Sequence, residues 1–68
     1  MNDKKTVYVF KGWNEGDANF KQERYVAAET SKEAWEKLEK YNKELKKMGF
    51  APFVAVAEPT VEIMNIID

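Results

Sequence analysis

Cysteine and histidine are both missing from this chain. Their absence removes disulfides, Cys- or His-ligated zinc, and every Ser-His-Asp or Cys-His nucleophile at once. Serine occurs once, as Ser31, at the start of a helical pattern. Glycine is scarce, and Gly12 and Gly16 form neither a GxxxxGK nor a GxGxxG phosphate loop. No apolar run approaches membrane-spanning length, and the apolar segment within MNDKKTVYVF is too short for a signal-peptide core. An excess of charge of either sign is also lacking: eleven Lys/Arg face twelve Asp/Glu, and the signs alternate. That balance provides neither a basic footprint for nucleic acid nor the dense acidity of a DNA mimic. The expectation is a soluble, cytoplasmic protein with no cofactor, no metal and no membrane association, and no strong affinity for nucleic acid.

What is present is a set of nine aromatics (two Trp, three Tyr, four Phe) in 68 residues. A chain of this size forms one domain, residues 1–68, and buries only about 60% of the surface its unfolded form exposes. Aromatic packing, or association with a second surface, must supply the stability that cross-links cannot.

The helix carries the clearest local signals. Thr30-Ser31-Lys32-Glu33 reads as a capping box, with Thr30 as N-cap. Ala34, Leu38, Tyr41, Leu45 and Met48 follow at spacings of four and three, one apolar stripe flanked by Trp35. Glu33/Lys37, Glu36/Lys40 and Glu39/Lys43 are favourably oriented pairs. Gly49 suits the left-handed position after the last turn, Phe50 can pack on Leu45, and Pro52 prevents continuation.

Residues 5–13 and 20–29 read as strands around the turn-forming NEGDAN, and Phe53–Ala57 and Val61–Ile67 as two more around Pro59. The order is ββαββ. Chain direction predicts an α+β fold of two layers: a four-stranded antiparallel sheet, order 2-1-3-4, with the helix on one face. The charged strand 20–29, with Lys21, Glu23 and Arg24, becomes a protected edge.

One helix covers one face only, and strand side chains alternate between faces. A six-residue loop would set Val7 opposite Val26, so Val7, Val9, Val26 and Ala28 are assigned to the helix side. Tyr8, Phe10 and Tyr25 are then left on the open face. Trp13 and Phe20 bound the loop, either as a cross-strand pair bracing it or with Trp13 as an exposed anchor. An open face with several large apolar residues exceeds what a monomer normally exposes and points to a partner.

Catalysis has little to draw on. Glu33, Glu36, Glu39 and Glu44 each have a lysine at helical spacing and read as solvated surface. Asn14, Glu15, Asp17 and Asn19 do not follow the spacing of a calcium loop, and a turn uses the same residue types. The sequence therefore reads as a non-catalytic protein-binding module. It would be an accessory or inhibitor protein of the kind phages and mobile elements encode, or a homodimer, acting through Tyr8, Phe10, Trp13 and Tyr25. The alternative is a single-stranded nucleic-acid-binding domain that stacks bases on Tyr8, Phe10 and Tyr25, with Lys4, Lys5, Lys11, Lys21 and Arg24 nearby. A minor enzyme subunit is a third reading.

Overall fold

A computed structural model describes residues 2–67, with side chains from Thr6 to Ile63. Four strands and one helix follow in the expected order: β1 (Asn2–Asn14), β2 (Gln22–Ala27), α1 (Ser31–Lys47), β3 (Phe53–Ala55) and β4 (Thr60–Ile67). The fold is α+β, one open antiparallel sheet with a single helix.

The helix begins where its cap predicts. Thr30 is extended, and its side-chain oxygen accepts from the Glu33 N–H at 3.1 Å, satisfying one of the donors a first turn leaves free. The Glu33 carboxylate, expected to reach back to the cap, instead pairs with Lys37 at 3.2 Å. At the other end Gly49 takes φ +83°, a conformation that costs glycine nothing. Gly49 N–H then donates to the Lys46 carbonyl, and Phe50 N–H to the Leu45 carbonyl at 2.8 Å. That pair of bonds is a complete Schellman motif.

β1 is the strand to which all the others bond. β2 lies along one side of it, while β3 and β4 share the other side, β3 against Gly12–Asn14 and β4 against Asn2–Val9. The order β2-β1-β3 holds, and the refinement concerns β4, which pairs with β1 rather than continuing outward from β3. β3 is only three residues long, so β1 outruns it and offers the remaining edge to β4.

The core lies between α1 and one sheet face. Tyr8, Phe10, Ala28, Ala34, Leu38 and Phe53 form it, with Val26, Trp35 and Ala55 packed around them. Phe10 is fully buried and meets Trp35 edge-on, ring centroids 4.8 Å apart. Arg24, the residue opposite Phe10, lays its guanidinium over the Phe53 ring at 4.9 Å and donates to Gln22 at 2.8 Å. The stem of Arg24 thus closes the apolar layer at the hairpin end while its charge is satisfied by neighbours.

Two contacts hold β3 in place. Gly12 lets the β1 and β3 backbones approach so closely that a Cβ there would lie 1.8 Å from the Val54 carbonyl oxygen. On the other side, the Asn42 side chain bonds both backbone groups of Phe53: its Oδ1 accepts from the N–H at 2.9 Å, and its Nδ2 donates to the carbonyl at 3.0 Å. A helix side chain here stands in for a neighbouring strand.

Candidate functional site

Cross-strand partners share a face, so the register decides which residues are free to meet a partner. β1 pairs with β2 as Val7↔Ala27, Tyr8↔Val26, Val9↔Tyr25 and Lys11↔Glu23. This is one residue away from the expected Val7–Val26 pairing, and a one-residue slip exchanges the two faces of a strand. Val26 and Ala28 do face the helix, as assigned. Tyr8 and Phe10 join them in the core and are corrected from partner-binding candidates to structural residues. Val7 and Val9 move to the opposite face.

The cause is the hairpin loop. β2 starts at Gln22, and the connection contains two successive turns, Asp17 N–H to Asn14 carbonyl and Phe20 N–H to Asp17 carbonyl, with Gly16 at φ +87°. Trp13 consequently has no partner on β2; it stands opposite Val54 of β3. Phe20 is 65% exposed, and the expected Trp13–Phe20 pair does not form: among the described residues the aromatic ring pair is Phe10–Trp35. The tip is instead tied to β3 by the Glu15 N–H, which donates to the Pro52 carbonyl at 2.8 Å.

The centre of the uncovered face is Val7 and Val9, both buried although no second layer lies over them. Neighbouring side chains at the Ala27, Tyr25, Thr60 and Glu62 positions shelter them from both sides. Toward the hairpin the face becomes rougher. Trp13, half-buried, lines an open cavity of about 500 Å³ with Lys11, Lys21, Glu23 and Val56. Tyr25 is 61% exposed on the same face, and its hydroxyl donates at 2.8 Å to Oε2 of Glu23, one of the residues lining that cavity.

That hydrogen bond to a carboxylate holds the Tyr25 phenol above its ordinary pKa of 10.0, with the negative charge of Glu23 adding to the effect. The phenol stays protonated at neutral pH and serves as an oriented donor, not as a nucleophile. No family model, curated protein or solved structure matches the chain. Among the described residues, no three carboxylates converge as a metal site, and no helix is long and apolar enough to cross a membrane.

Of the four candidate residues, then, the register brings Trp13 and Tyr25 to one side of the sheet and sends Tyr8 and Phe10 to the other. Of the basic residues, Lys11 and Lys21 stay near Trp13, Arg24 is engaged with Phe53, and the side chains of Lys4 and Lys5 lie outside the described residues. Val54 and Val56, which join Trp13, were not singled out from the sequence. Both belong to an unbroken apolar run, FVAVA, in which alternation carries no sign of which side is covered.

Proposed function

We propose that this chain is a non-catalytic protein-binding module, an accessory or inhibitor protein that docks a partner on the uncovered sheet face at its Trp13–Tyr25 end. The observation that carries this reading is a mixed apolar and hydrogen-bonding surface on a face with no covering layer: Trp13 and Val56 line an open cavity with Glu23, and a 61% exposed Tyr25 is hydrogen-bonded to that Glu23. Tyrosine and tryptophan supply large, stiff contact area, and such residues dominate interface energies. The surface is also held in place before binding, because the Glu15–Pro52 bond and the close approach at Gly12 fix the tip against β3. A preset surface loses less entropy on docking. The lack of cysteine supports a cytoplasmic setting, since the fold needs no oxidising compartment.

Base stacking has lost its platform in this register, because Tyr8 and Phe10 are core. The test is a photo-crosslinking residue placed at Tyr25 and, separately, at the exposed helix position Lys32. The reading expects a discrete adduct at position 25 that weakens when Trp13 is replaced by Ala and persists in high salt. The same adducts at both positions would refute it. So would salt-sensitive binding of a labelled single-stranded oligonucleotide lost with Tyr25.

A further inference from the structure

A sheet edge presents a row of backbone N–H and C=O groups that another strand can take up. The three edges of this sheet are treated very differently. β2 carries Glu23 and Arg24, and Lys37 Nζ reaches its Ala27 carbonyl at 2.6 Å. β3 is closed at Phe53 by Asn42. β4 is eight residues long, bonds β1 on one side, and among the described residues has nothing on the other. Glu62 is the one charge in its sequence TVEIMNII. Register with Tyr8 and Thr6 places Val61 and Ile63 on the helix side, yet the core does not include them, and they are 56% and 73% exposed.

We propose that β4 pairs antiparallel with β4 of a second copy, across a two-fold axis through Ile63. The arrangement follows from symmetry. A two-fold that reverses strand direction within one continuous sheet must stand perpendicular to that sheet, so both helices lie on the same side. Opposed residues then share a face, and one residue must sit on the axis opposite itself. An axis at Glu62 would oppose two carboxylates. An axis at Ile63 opposes Ile63 to Ile63, Glu62 to Met64, Val61 to Asn65 and Thr60 to Ile66, a ladder of seven residues about 24 Å long.

The lone charge of each strand is kept apart from its copy, and a net charge of −1 per chain adds little repulsion. A symmetric partner also puts its own Val61 and Ile63 on the correct side of the seam. The exposed pairs from the two copies meet in the trough between the two helices, which a flipped partner would leave open. The product is an eight-stranded sheet. Its seam lies away from Trp13 and Tyr25, so the dimer stands or falls separately from the function proposed above.

The cysteine-free sequence makes the test clean. Directly opposed Cα atoms in an antiparallel pair lie about 4.5–5.5 Å apart, within disulfide reach. Ile63→Cys, oxidised with copper–phenanthroline, is expected to give a covalent dimer of twice the chain mass, and Tyr25→Cys is expected to remain mostly uncross-linked. Light scattering of the unmodified chain should report twice the chain mass at hundreds of micromolar, and Ile63→Lys should halve it with an unchanged circular dichroism spectrum. Should either variant fold poorly, hydrogen exchange on the unmodified chain decides: β4 amides should gain protection as concentration rises. A monomer at all concentrations, a dimer that survives Ile63→Lys, or cross-linking at position 25 in place of 63 overturns the proposal.

Discussion

Gly12→Ala is the smallest change expected to have a large effect. Gly12 is not in the left-handed region, so alanine fits its backbone conformation, and the obstacle is space. The added Cβ would lie 1.8 Å from the Val54 oxygen and 2.8 Å from the Val54 carbonyl carbon, both backbone atoms that no side-chain rotation can move. Restoring even a 3.0 Å separation, the lower limit of real contacts, requires β3 to retreat by 1.2 Å, the difference between 3.0 and 1.8. The flanking bonds, Glu15 N–H to Pro52 at 2.8 Å and Val56 N–H to Lys11 at 3.0 Å, would stretch to about 4 Å and cease to be hydrogen bonds.

Losing these two bonds and at least one within the β1–β3 ladder, at about 1 kcal/mol each, gives a destabilisation of about 3 kcal/mol. The whole domain commands only about 3–10 kcal/mol, at about 0.05–0.15 kcal/mol per residue. Urea denaturation, followed by the combined fluorescence of Trp13 and Trp35, is the assay. With a slope of about 1 kcal/mol/M, the midpoint should fall by about 3 M, or the variant should be unfolded without denaturant. Gly49→Ala is the comparison: φ is +83° there, but space around it is open, so its cost is about 1–2 kcal/mol from backbone strain. A Gly12→Ala loss below about 1 kcal/mol, or smaller than that of Gly49→Ala, would refute the argument that strand approach sets this position.

Asn42→Ala should cost about 1–3 kcal/mol in the same assay, because it leaves the Phe53 N–H and carbonyl without partners at the rim of the core. Asn42→Asp should recover only part of that loss, since a carboxylate can accept from the N–H but cannot donate to the carbonyl. In a spectrophotometric tyrosine titration, Tyr25 should ionise above pH 10, and Glu23→Gln should bring it back toward the ordinary value. The native state favours the protonated phenol. Its contribution to stability is therefore complete below the unfolded pKa near 10 and disappears as pH rises through the raised value.

The helix was legible from end to end because its signals are local. Thr30, Gly49 and Phe50 each act through bonds to residues within five positions. The existence of the strands was legible too, from TVYVF and FVAVA. What escaped was everything that depended on counting across a loop. A connection of two successive turns, where a loop of six residues was expected, shifted the hairpin by a single residue, and that shift alone sent Tyr8 and Phe10 into the core and Val7 and Val9 out of it. Asn42 was invisible for another reason: in the sequence it is one more polar residue on a helix, and only the position of Phe53 gives it a task. Tyr25 stays on the open face, as expected from the phase of strand 2, whereas Trp13, which the sequence placed only at the loop, reaches that face because it alternates in phase with Val7 and Val9 along β1.

That β1 serves as the common neighbour of three strands also orders their assembly in time. Its pairings with β2 span 10 to 20 positions of chain, from Gly12↔Gln22 to Val7↔Ala27, whereas those with β4 span 51 to 65, from Val9↔Thr60 to Asn2↔Ile67. Closing the longer loops means roughly two further doublings of length, an entropic cost of about 1.2 kcal/mol, and no helix layer over Val61 or Ile63 compensates for it. The hairpin and helix can form early, from contacts near in sequence, and β4 joins a sheet that already exists. The last strand to arrive is then expected to be the first to leave, which hydrogen exchange on the dilute chain would register as the earliest-exchanging strand amides along Thr60–Ile67.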